Sequence, residues 1–265
     1  MRNLIKINRL IGLLAFCAMF ILLCACSASH NASAKKNYKV LVYCKTAGYH
    51  HASIKAGIAA IQKMGAENNF GVDSTVDENK FTDENLKQYA AIIFLSTTGD
   101  FFKKDASKAA LKNYIEHGGG YVGIHAATDA EYNWQWYGDL SGAYFKAHPA
   151  QQMATLDVVD PNTIATKMLP AKWDRKDEWY HFKFVAKDIH VLINFEESSI
   201  KYKDDKEAAS IKMGPNHPMA WYHDFDGGRA FYTELGHTDE SYVEPLYLQH
   251  LLGGIEYAMG RKKMK

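Results

Sequence analysis

The sequence predicts an α/β fold: a parallel sheet with helices on both faces and additional short strands in the C-terminal half. Two observations predict it. Apolar runs of strand length alternate with helical periods through the first half of the chain, which is the signature of βαβ units. Those strand runs are apolar nearly throughout, as strands covered on both faces must be. Lys39 to Lys45 is the first such run. The polar loop Thr46-Ala47-Gly48-Tyr49-His50-His51 follows it. Ala52 to Asn69 then carries Ile54, Ile58, Ile61 and Met64 at helical spacing, an amphipathic helix. Gly71 to Asp77 reads as a second strand. Phe81 to Tyr89 reads as a short helix, with Thr82 as N-cap and Asn85 at the capping-box position. Ala90 to Ser96 is a third buried strand, and Asp105 to His117 is a helix stopped by Gly118-Gly119-Gly120. Tyr121 to His125 is the fourth strand. Right-handed crossovers bring the C-terminal ends of such strands to one edge. The loops Thr46–His51, Ser96–Phe102 and His125–Asp129 are therefore expected to converge.

The second half reads differently. Met153 to Val159, His190 to Glu196, Met219 to Tyr222 and Gly228 to Leu235 are shorter strands, the last two joined by the turn signal Asp226-Gly227-Gly228. Glu244 to Met259 closes the chain as a helix with Leu248, Leu251, Leu252, Ile255 and Met259 on one face. With 265 residues and 47% hydrophobic content the chain can bury one sizeable core. A net charge of +1 gives no field that would draw it to nucleic acid.

The N-terminus reads as a targeting segment. Arg2, Lys6 and Arg9 precede Leu10 to Leu23, an apolar run short for a membrane span, followed by Cys24-Ala25-Cys26-Ser27. Residues 1–26 are expected to be a bacterial export signal, and Leu23-Cys24-Ala25-Cys26 resembles a lipobox. Cys24 lacks a small residue before it, so Cys26 is the expected lipidation site; an ordinary secretory signal is the alternative. Residues 27–37, rich in Ser, Ala, Asn and Lys, suit a flexible tether, and 38–262 form the domain. The protein is thus expected to be exported and held at the bacterial cell envelope, touching membrane through its lipid anchor alone. Of four cysteines, only Cys44 remains in the domain, within an apolar run, and reads as a small buried hydrophobe.

Histidines and acids gather where strands should end: His50-His51, His125, Asp129, His148-Pro149, Asp177-Glu178-Trp179-Tyr180-His181, His217-Pro218 and Gly236-His237. His125 sits at the tip of the fourth strand, where α/β folds hold a reactive side chain above the sheet. In an extended segment, Glu178 and Tyr180 share one face and His181 points away. The combination of Gly123-Ile124-His125-Ala126-Ala127-Thr128-Asp129, Asp177-Glu178-Trp179-Tyr180 and Gly228-Arg229-Ala230-Phe231-Tyr232-Thr233-Glu234-Leu235-Gly236-His237 resembles the ThuA-like (trehalose utilisation) family, over about residues 38 to 260. The resemblance implies a class I glutamine amidotransferase-like fold, related to flavodoxin-like sheets, and a link to disaccharides processed through 3-keto intermediates. By the same resemblance His125 stands at the amidotransferase cysteine position, His237 at its catalytic histidine and Asp239 at the acid two residues on. With no cysteine at that place, glutaminase activity is not expected.

Three readings of this constellation stand side by side. In one, His125, His237, Glu178 and Asp129 act as general acids and bases on a small carbohydrate, in hydrolysis, elimination or isomerisation, with imidazoles that titrate near neutrality. In another, His51, His125, His237 and Glu178 hold a divalent metal such as zinc. In the third, the chain is a glycan-binding envelope lipoprotein that does no chemistry. His51, Tyr180, Trp134, His217 and Arg229 are the expected substrate-binding residues. Trp134, Trp136 and Tyr137 form either an aromatic wall for a sugar ring or packing under the sheet, and His148 either joins the site or shapes a turn.

Overall fold

A computed structural model describes residues 38–265; the expected export signal, Cys26 and the tether lie outside the described residues. Among the described residues eleven strands and six α-helices follow in order: β1 (Tyr38–Tyr43), α1 (Ile54–Asn68), β2 (Phe70–Thr75), α2 (Asp83–Leu86), β3 (Ala91–Leu95), α3 (Asp105–Glu116), β4 (Gly120–Ile124), α4 (Gln135–Ser141), β5 (Ala143–Ala147), β6 (Gln152–Val158), β7 (Lys172–Asp177), β8 (His181–Val185), β9 (His190–Phe195), α5 (Asp205–Ile211), β10 (Pro218–Phe225), β11 (Gly228–Thr233) and α6 (Pro245–Ala258). Nine strands form one sheet in the order β2-β1-β3-β4-β11-β10-β9-β6-β7. From β2 to β11 every pairing is parallel. From β11 outward every pairing is antiparallel. Strands β5 and β8 pair separately.

The strand pleat sorts the core into two layers. Val40, Val42, Ile93, Val122 and Ile124 pack with Ile54, Ile61 and Met64 of α1 and Leu251 and Ile255 of α6. Leu41, Tyr43, Ile92, Phe94 and Tyr121, their immediate neighbours along the same strands, pack on the other side with Leu111 and Ile115 of α3 and Tyr137 and Leu140 of α4. The sheet is therefore covered on both faces, and the expected α/β class is the one observed. Thr82 caps α2, accepting from the Asn85 N–H at 3.2 Å. Asp226 and Gly227, both at positive φ, join β10 to β11 as a two-residue hairpin loop.

Five elements escape the sequence reading. Strand β7, Lys-Trp-Asp-Arg-Lys-Asp, does alternate, but its inward positions are Trp173, Arg175 and Asp177, so the alternation is not one of apolar residues. It is an edge strand of the sheet, where charges are common. Strands β5 and β8 and helices α4 and α5 each span only five to seven residues, too short for a periodic signal.

The expected loop convergence is present. Thr46 bridges Thr98, and Gly99 bridges Ala130. The Ala47 N–H donates to Thr98 O at 2.7 Å, and the Gly99 N–H to Asp129 O at 2.8 Å. Among the described residues no helix is long and apolar enough to cross a membrane.

Candidate metal and catalytic site

His125 stands directly beyond β4 with φ of 50°, a left-handed conformation that a residue with a Cβ adopts only under constraint. Its carbonyl accepts from the Tyr232 hydroxyl at 2.7 Å. Its Nδ1 faces Glu234 O at 2.8 Å, so Nδ1–H donates there. That leaves Nε2 turned towards His237 Nδ1, 3.1 Å away, and Glu178 Oε2, 3.5 Å away. His237 Nδ1 lies 3.2 Å from the same Glu178 oxygen. The His51 ring meets those of His125 and His237 edge-on, with centroids 4.8 and 5.2 Å apart. One nitrogen or oxygen from each of His51, His125, Glu178 and His237 lies within 4.8 Å of all the others.

Buried acids hold this set in place. Asp177 accepts from the backbone N–H groups of Glu178 (3.0 Å), Gly236 (3.1 Å) and His237 (3.1 Å), and so ties two segments of the cluster, distant in sequence, to one carboxylate. Arg175 neutralises it at 3.0 Å. Gly236 has φ of 116°, and a Cβ there would lie 2.6 Å from the Tyr247 hydroxyl, so the turn that delivers His237 requires glycine. Glu234 Oε1 accepts from the Tyr180 N–H at 3.2 Å, and the Tyr180 ring packs on His125 at 4.5 Å.

The electrostatics follow from burial and mutual contact. Burial, then the neighbouring rings of His125 and His237, lower His51 to about 3, so it stays neutral. Burial alone would lower His125, but hydrogen bonds with Glu178 and Glu234 outweigh it and raise the ring to about 10. Burial likewise opposes the Glu178 charge, yet His125 and His237 hold its carboxyl well below the usual range. Burial pushes Glu234 up to about 7, against the pull of His125. One buried carboxylate facing three imidazoles is a donor set that suits zinc or a related divalent ion. His51 Nδ1 is buried and makes no hydrogen bond among the described residues, the kind of orphaned atom a bound ion could satisfy. His125, with its second nitrogen on a backbone carbonyl, has the outer contact usual for a metal-bound imidazole.

A family model described as trehalose utilisation (ThuA) matches residues 39–258. The chain belongs to the ThuA family. Its structure is similar to that of a protein from Bacteroides uniformis ATCC 8492 described as ThuA-like, at 25% identity and a TM-score of 0.71, over 85% of this chain and 93% of that one. A second protein described as ThuA-like, from Parabacteroides merdae ATCC 43184, is 20% identical with a TM-score of 0.69, over 87% and 92% of the two chains. A β-galactosidase from Bacillus circulans shares the fold at 12% identity and a TM-score of 0.54, over 84% of this chain and 31% of its own. No curated protein matches the chain.

The remaining expected site residues of this ThuA chain fall in several places. Asp129 stands beside the cluster, its carboxyl raised by burial and accepting from the Tyr132 hydroxyl at 2.6 Å. His50 is exposed beside Thr46, and His51 is the inward one. Three expected substrate contacts need correction. Trp134 packs against Trp136, Tyr137 and Phe102 with Lys108 over its ring, and contacts none of the four clustered residues. Arg229 is the second residue of β11, at the end opposite His237, and donates to Ala258 O and Gly118 O. His217 is fully buried with both ring nitrogens engaged, one on Glu197 and one on Tyr180 O, so it is closed to a ligand. Asp239 is exposed; the acid beside His237 is Glu178.

Sequence reasoning missed Asp177 and Glu234 as supports, although each is a charged residue in a quoted motif. It left His148 open as a turn residue. The structure sets His148 Nδ1 3.3 Å from Glu178 Oε1, with its half-exposed ring stacked on Tyr180.

Proposed function

We propose that this ThuA-family chain is an exported, lipid-anchored enzyme acting on a small carbohydrate, a disaccharide or 3-keto-sugar, at the strand-end cluster. His51, His125, Glu178 and His237 would hold one divalent metal such as zinc. The observation that supports this most is the convergence of those four donors, with His51 Nδ1 buried and unpaired. When bound, such an ion supplies Lewis acidity for a sugar carbonyl or hydroxyl. The chain's own groups do the rest. Glu234 O fixes the His125 tautomer. Tyr180 and Phe145, with ring centroids 4.1 Å apart, pack beside the cluster, and Tyr49, exposed, meets the His51 ring edge-on. Asp129 and His148 would be the polar groups that hold a sugar hydroxyl or move a proton at its oxygen. A carbonyl in the sugar acidifies the neighbouring C–H, which makes elimination or isomerisation as accessible to such a site as hydrolysis.

The test is a panel of oxidised and unoxidised disaccharides incubated with the full chain, with and without added zinc, read by mass spectrometry. Turnover of the oxidised sugars that requires metal supports the proposal. Saturable binding with no product under any condition would leave a glycan-binding protein instead. Mass analysis of the mature N-terminus tests the anchor: acylation on Cys26 is expected, and a free N-terminus elsewhere removes it.

A further inference from the structure

A second group of buried histidines and an acid lies behind the first. His181, Glu197 and His217 bring their polar atoms together within 4.8 Å, yet each ring nitrogen already has a partner. His181 faces Trp179 O at 3.1 Å and the Tyr202 hydroxyl at 3.1 Å. His217 faces Glu197 Oε1 through Nδ1 at 2.7 Å and Tyr180 O through Nε2 at 2.8 Å. The same Glu197 oxygen accepts from the Met213 and Gly214 N–H groups at 2.7 and 3.2 Å, closing the excursion that carries α5. This is a hydrogen-bonded strut, with no donor left over for an ion.

The strut ends on the functional site. The Tyr180 peptide is held at both of its polar atoms: its C=O by His217 and its N–H by Glu234 Oε1. Glu234 in turn supplies the carbonyl that fixes His125. Tyr180 lies two residues after Glu178 in an extended segment, so its orientation sets where the Glu178 carboxylate stands. We infer that His217 and Glu197 are positioning residues, which hold the Glu178–Tyr180 segment so that Glu178 meets the three imidazoles. The inference rests on the proposed metal centre for its affinity readout only, since the local geometry it concerns is measurable without an ion.

The experiment uses the full chain as wild type, His217→Phe, His217→Gln and Glu197→Ala. Phenylalanine fills the space but cannot donate to Tyr180 O, whereas the glutamine amide can. Zinc affinity by competition titration should fall by about 10- to 100-fold in His217→Phe, the usual effect of losing an outer-shell contact. It should stay within about threefold of wild type in His217→Gln. Amide hydrogen exchange across residues 178–182 should quicken in His217→Phe and Glu197→Ala but not in His217→Gln. Wild-type affinity and exchange in His217→Phe would overturn the inference. Should wild type bind no zinc, the metal reading fails and exchange alone decides: local quickening upholds the strut, and none overturns it. If His217→Phe does not fold, Glu197→Ala, altered at a largely shielded carboxylate outside the core, gives the same comparison.

Discussion

Each residue of the cluster has surroundings that fix its protonation or its direction. His51 is neutral because it is buried beside two other rings. His125 is aimed by one carbonyl and one strained backbone angle. His237 differs in being partly open to solvent, with 23% of its side chain exposed, so it can be truncated without opening a cavity in the core. His237→Ala should therefore lower turnover by at least about 100-fold, the scale for losing a positioned catalytic group, while the melting temperature of the metal-free protein stays nearly unchanged. Unaltered turnover in that variant would remove His237 from the chemistry. His250 shows the opposite use of the same side chain. It is fully buried, facing Ala165 O through Nδ1 at 2.8 Å and Thr233 Oγ1 through Nε2 at 3.1 Å, and burial lowers it to about 4. The unfolded chain takes up a proton near pH 6.5 that the folded chain refuses until about pH 4. Stability should thus fall as pH drops through that window, by about 3 kcal/mol from this residue. Denaturation curves at a series of pH values should show a shallower decline in His250→Gln, and identical slopes would refute the assignment.

At the level of elements, the site depends on one edge strand. Strand β7 ends at Asp177, whose carboxylate binds the backbone of both Glu178 and His237 and is itself paired with Arg175. Asp177→Ala would leave the Arg175 charge buried without its closest carboxylate and release the segments that carry Glu178 and His237. A loss of about 3–5 kcal/mol is expected, together with loss of zinc binding, and equilibrium unfolding in urea with a metal titration checks both. This strand also shows where sequence reading stops. The parallel strands were legible because burial on both faces leaves continuous apolar runs, and β1, β3 and β4 fall within a residue or two of their expected bounds. The His125 tip followed from strand-end geometry, whereas the choice between His50 and His51 as the inward residue did not. Strand β7 was illegible because its inward positions carry charge, and a charged residue gives no sign of facing the core until its partner is known. For the same reason Glu234 passed as one polar residue in an apolar strand, and His148 could not be placed without β5. Trp134 misled because aromatic residues near a site pack as readily as they line it.

Across the whole molecule, the sheet changes character at β11. The parallel part supplies His51, His125 and His237 from loops beyond β1, β4 and β11, and the antiparallel wing supplies Glu178 from beyond β7. A cation held by all four would therefore bind only to a chain folded end to end, and its binding free energy would add to global stability. Each tenfold rise in free zinc above its dissociation constant should contribute about 1.4 kcal/mol, so dialysis against a chelator should lower the melting temperature and zinc should restore it. An unchanged melting temperature would argue against an ion at this place. The spread of the four positions along the chain carries a further consequence. A proteolytic fragment, or a copy that has failed to bring its wing against its parallel half, would lack part of the proposed centre. Damaged molecules would be inert instead of promiscuous, and metal content would serve as a direct count of the intact ones.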